Sequence, residues 1–153
     1  VLKMIKVVFV KRSDTPDRQN NNKDFYISQR GEKWQFKHCY ILVGRVMLVH
    51  QHNIKTAELS AEEYNDLLLN EDGQRVFIDL PISGSWIINK RMAIKSSYWV
   101  NNRNYAKLWE EHFNPLAFTG VAYTCSNMVA KLLGWNDYYS LEPDDIYNRL
   151  TAK

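Results

Sequence analysis

The apolar positions of the chain fall into short runs whose spacing assigns most of its regular structure. Residues 4–10, MIKVVFV, are β-branched and aromatic and predict a first strand. The next stretch, KRSDTPDRQNNNKD at 11–24, has no apolar period. Its proline, three consecutive asparagines and dense charge predict a loop. A second strand is expected over 33–43, KWQFKHCYILV, with Gly44-Arg45 turning the chain and VMLVHQH returning, so the segment reads as a β-hairpin. Residues 60–70, SAEEYNDLLLN, predict a short helix, with Ser60 as N-cap and Glu63 three positions later completing a capping box. Asp72-Gly73 then turns into QRVFIDL, a further strand ended by Pro81, whereas PISGSWIINK is rich in turn residues and fits no single element.

The second half reads as helical. In RNYAKLWEEHF at 103–113, Tyr105, Leu108, Trp109 and His112 fall at i, i+3, i+4 and i+7, and Asn114-Pro115 breaks the run. A helix beginning near Cys125 gathers Met128, Val129, Leu132 and Leu133 on one side, with Gly134 suited to the position just past its end. A last helix starts at Pro143, where Asp144 and Asp145 suit the positive end of the helix dipole. Strand, hairpin, short helix, strand and then helices make an α+β order: a small antiparallel sheet packed against the cysteine-bearing helix. The length of 153 residues fits one domain over 1–153.

Composition narrows the partners. A hydrophobic fraction of 45% supplies a real core, and a net charge of +3, scattered along the chain, lacks the concentrated basic patch of a nucleic-acid binder. No apolar run is long enough for a transmembrane segment, and VLKMIKVVFV is followed by charges where a cleavage signal would carry small residues. The expectation is a soluble domain without nucleic-acid partners. Two cysteines, Cys39 and Cys125, are too few for a stapled scaffold and fit a reducing compartment.

The hairpin carries the chemistry. Strand alternation puts Trp34, Phe36, His38, Tyr40 and Leu42 on one face and Cys39, Ile41 and Val43 on the other. If the hairpin is symmetric about Gly44, His38 lies directly opposite His50, and two imidazoles meet on one face. A two-residue Gly44-Arg45 turn shifts the register by one and breaks that opposition. Cys125 is the nucleophile these imidazoles would serve. Its place in the first turn of a helix lowers a thiol pKa, and an adjacent imidazole can take the proton. His38 is the candidate base and His50 the group that orients it, with His52 or Asp79 as substitutes in that third role.

The segment YTCSNMVAKLLG at 123–134 resembles the cysteine-bearing helix of the NlpC/P60 superfamily of papain-like hydrolases. HCYILVGRVMLVH at 38–50 is similar to that family's histidine strand, glycine turn and returning polar residue. Because histidine precedes cysteine here, the order resembles the circularly permuted, YiiX-like branch, which is akin to lecithin retinol acyltransferase-like proteins. The terminal LEPDDIYNRL is similar to a segment that follows the cysteine helix in some permuted members. The resemblance implies a permuted papain-like fold with Cys125 as nucleophile, His38 as base and His50 as third residue. It implies hydrolysis of an amide or related acyl bond, with a peptide or acyl substrate such as a peptidoglycan fragment. The bulky Cys39 and Tyr40 depart from the smaller residues common after the family histidine. The bacterial cytoplasm and a phage virion are both compatible locations.

Other readings compete for the same residues. Cys125 also suits a small apolar role on a buried helix, and Cys39, facing away from His38, reads as structural. A noncatalytic binding or virion-associated structural domain that keeps the hydrolase shape is the alternative to catalysis. The pair His50 and His52 shares a strand face and, with His38 and Cys125, is compatible with zinc. Cysteine chemistry on these residues requires no metal or organic cofactor. The pair Asp144 and Asp145 is accounted for by capping of the last helix.

Overall fold

The computed structural model describes residues 5–11, 35–48, 57–84, 86–88, 98–99 and 122–152. The helix expected over 103–113, residues 12–24 of the expected loop, and His50, His52 and His112 lie outside the described residues.

The fold is α+β. Five strands form one antiparallel sheet: β1 (Ile5–Lys11), β2 (Phe36–Val43), β3 (Val46–Met47), β4 (Ala57–Glu58) and β5 (Arg75–Leu80), in the order β4-β3-β2-β1-β5. The helix α1 (Ala61–Leu69) links β4 to β5. A separate parallel pair, β6 (Tyr98–Trp99) and β7 (Ala122–Tyr123), delivers the chain to α2 (Cys125–Leu132). A short 3-10 turn at Tyr138–Ser140 and α3 (Pro143–Thr151) complete it.

The central strands read as near-continuous apolar runs because both faces of the sheet are covered at its middle. Val7, Val8 and Phe9 on β1 and Cys39, Ile41 and Leu42 on β2 are all buried. Helices α2 and α3 touch each other and both pack on β2. One edge strand, β4, and its neighbour β3 are only two residues long, whereas the other edge strand, β5, runs for six.

The hairpin closes through the two-residue turn, Gly44-Arg45. Gly44 takes a φ of 55°, and Val43 pairs with Val46 and Leu42 with Met47. The symmetric register that would oppose His38 to His50 is therefore replaced by the one-residue shift that this turn dictates. The shifted register extends through the Leu48 N–H, which donates to the Ile41 carbonyl at 2.9 Å.

A second departure lies at the start of β2. Val10 pairs with His38 but Lys11 pairs with Phe36, so Lys37 is an extra residue, a β-bulge. The alternation expected for Phe36, His38, Tyr40 and Leu42 fails at its first member. Phe36 joins Phe9 on the opposite face, with ring centroids 5.2 Å apart, and both rings meet Tyr147 of α3 at 4.9 and 5.4 Å. The ladder puts His38, Tyr40 and Leu42 on the same face as Val10, Val8 and Lys6.

The stretch after Pro81 turns helical at 84 and 86–88, where Ile87 is fully buried. Gly84 lets this segment lie close against β2, since a Cβ there would come within 2.5 Å of Val43 Cγ1.

Candidate functional site

The opening of α2 is built from side chains that bond within the turn and beyond it. Thr124 is the N-cap: its hydroxyl oxygen accepts the Asn127 N–H at 3.4 Å, and the Asn127 side-chain oxygen accepts the Thr124 N–H at 3.1 Å. This reciprocal box satisfies donors that a helix start otherwise leaves open. The same residues then reach the chain that follows the helix. Ser126 Oγ donates to the Leu141 carbonyl at 2.8 Å, and Asn127 Nδ2 donates to the Tyr138 carbonyl at 2.8 Å. At the other end Gly134 has a φ of 86°. Its N–H bonds Lys131 O while the Trp135 N–H bonds Ala130 O, the paired closure of a Schellman motif. Cys125 is thus the first residue of a helix fixed at both ends. It is fully buried, as are Met128, Val129, Ala130 and Leu132.

His38 sits in β2, 3% exposed, with both ring nitrogens shielded from solvent. Its ring lies 5.7 Å from that of Tyr40, two residues along the same face. Cys39 points to the other face and is fully buried in the core, in keeping with a structural role. Neither cysteine is in a disulfide. The strand bearing His38 and the helix bearing Cys125 are direct packing neighbours.

Asp79 belongs to a different neighbourhood. It accepts from Lys6 Nζ at 2.7 Å, half-exposed, in the ladder row of Leu42. His38 shares its row with Val10 and Arg75, so the two rows are four residues apart, about 13 Å along the strands. Among the described residues no group of three or more His, Cys, Asp or Glu is placed to hold a metal ion.

A cavity of about 720 Å³ opens between α1 and the face that carries His38. Val10, Tyr40, Met47, Leu67 and Arg75 are among its walls, so Tyr40 touches both the cavity and the histidine ring. Burial raises the Tyr40 phenol above its ordinary pKa, and the charge and hydrogen bond of Arg75 oppose that shift. The phenol is held neutral and can donate a hydrogen bond at neutral pH.

Two residues hold backbone in ways that sequence reasoning did not find. Asn127 is the reciprocal partner of the cap, and the Thr-x-x-Asn spacing is a signal that could have found it. Asp144 lies in the first turn of α3 as expected of the Asp144–Asp145 pair, and its carboxylate also reaches beyond the helix. Asp145 does cap, accepting the Glu142 N–H at 2.9 Å. The Asp144 carboxylate accepts the Gln35 N–H at 2.8 Å and the Phe36 N–H at 2.9 Å, across the molecule at the start of β2. No local pattern announces that contact.

No helix among the described residues is long and apolar enough to cross a membrane. No family model, curated protein or solved structure matches the chain.

Proposed function

We propose that the protein is a cysteine hydrolase of permuted papain-like type, with Cys125 as nucleophile and His38 as general base. The observation that carries this reading is the packing of α2, with Cys125 in its first turn, directly on the strand that bears His38. The helix start favours a thiolate through its dipole and first-turn N–H groups. In the proposed reaction His38 takes the thiol proton and the sulfur attacks the acyl carbon. As the tetrahedral intermediate collapses, the imidazolium returns the proton to the leaving nitrogen. Water, deprotonated by the same imidazole, then attacks the thioester and frees the acid and the thiol. His50 is the proposed orienting residue. The backbone N–H of Cys125 is the proposed oxyanion donor. Amide and thioester bonds, in cell-wall peptides or acyl lipids, are the substrate classes that the sequence resemblance favours.

A noncatalytic domain that retains this architecture is the second reading, and burial favours it. Cys125 is 0% and His38 3% exposed, so a substrate reaches them only if the cover opens.

The two readings separate on an activated acyl probe. Incubated with p-nitrophenyl acetate, a hydrolase accumulates an acetyl adduct on Cys125, detected by mass spectrometry, and turns the adduct over. Cys125→Ser abolishes the adduct, and His38→Ala slows its formation at least about a hundredfold. Absence of an adduct, or equal acetylation of Cys39 and Cys125, selects the noncatalytic domain.

A further inference from the structure

We infer that Asp144 is a positioning residue for His38, acting through the bulge at the start of β2; its link to catalysis rests on the hydrolase reading above. The two oxygens of one carboxylate hold two successive backbone N–H groups, those of Gln35 and Phe36, at 2.8 and 2.9 Å. Charge-assisted bonds of this kind are about twice as strong as neutral ones. They act immediately before the extra residue, Lys37, at the point where the strand changes register.

The bulge decides two faces at once. It allows Phe36 to join Phe9 and Tyr147 while His38, two residues on, stays on the face of Val10 and Tyr40. In a regular strand residues 36 and 38 share a face. Without the bulge, Phe36 leaves the Tyr147 cluster or His38 leaves the Tyr40 face. Asp144 stands one turn before Tyr147 on α3, so a single helix fixes both sides of the arrangement: its carboxylate holds the backbone and its aromatic ring receives Phe36. The start of α3 is itself well anchored. Pro143 is buried, and Asp145 closes the capping box with Glu142. The strand is therefore registered against a fixed point, which is what placing an imidazole to within an ångström requires.

The test compares Asp144→Ala with Asp145→Ala in the full chain. Both remove a carboxylate from the first turn of α3, but only the former releases β2. The first readout is NMR of the His38 and Tyr40 rings. Asp144→Ala is expected to weaken the nuclear Overhauser contact between the rings, whereas Asp145→Ala leaves it as in wild type. The second is Cys125 alkylation by iodoacetamide at neutral pH. It is expected to fall at least about tenfold in Asp144→Ala and to stay within about twofold of wild type in Asp145→Ala. Wild-type ring contacts in a folded Asp144→Ala protein, or identical losses in both variants, overturn the clamp. If His38→Ala leaves alkylation unchanged, the hydrolase reading fails, and the ring contacts alone decide whether Asp144 positions His38. Asp144→Asn, with one acceptor oxygen, is expected to fall between the extremes.

Discussion

Helices α1 and α2 open with the same local device and live in different surroundings. In α1, Ser60 Oγ accepts the Glu63 N–H at 3.1 Å, and Glu63 accepts the Ser60 N–H at 3.0 Å. In α2, Thr124 and Asn127 exchange the equivalent bonds. The first box is exposed and made wholly within one turn, and Leu67 is the single buried residue of its helix. The second is buried, and two of its first-turn residues also hold the carbonyls of Tyr138 and Leu141. One cap ends a helix; the other ties a helix to the turn that leads into α3.

The difference should be measurable by unfolding. Asn127→Ala removes a capping acceptor and a cross-link from a buried side chain, leaving the Tyr138 carbonyl with the longer bond from the Leu141 N–H at 3.4 Å. It is expected to destabilise the fold by about 3 kcal/mol in urea titration. A loss below about 1 kcal/mol would mean that α2's opening is no more integrated than α1's. Ser60→Ala is expected to cost about 1 kcal/mol, because water can replace the lost bond.

The smallest effect sharpens the contrast from the sheet face beneath α1. Tyr40's folded pKa is raised, mainly by burial. The stability contributed by the neutral phenol is fully present below the unfolded tyrosine pKa, about 10, and is lost as pH rises from there through the folded value. Wild type should lose stability above about pH 10 more steeply than Tyr40→Phe. Parallel alkaline curves would show that this residue does not couple to folding.

The sequence made the local devices readable, because each is written within a few neighbouring residues. The Ser60–Glu63 box, the Gly44-Arg45 turn, the Gly134 closure and the Pro143 start all have short-range signatures, and all are present. What failed depended on pairing between distant segments. Alternation alone put Phe36 beside His38; the bulge that separates them is set against β1 and held by Asp144, 108 residues away from Phe36. The hairpin register was legible only as a choice between two turns, and the two-residue turn prevails. The strand β6 was missed because a two-residue parallel pair leaves no periodicity to detect. For the candidate site, sequence identified Cys125 and His38, and the structure adds their elements' direct packing. Neither Asn127 nor Asp144 stood out, since their roles are bonds to backbone rather than chemistry.

The proposed chemistry needs Cys125 and His38 to form a thiolate–imidazolium pair, and the rate of iodoacetamide modification at Cys125 against pH reads that pair out. A reactive plateau is expected that begins well below the ordinary thiol pKa of about 8.5 and moves back toward it in folded His38→Ala, with Cys39 unreactive throughout. A Cys125 profile that rises only near the ordinary value and is unchanged by His38→Ala would contradict it.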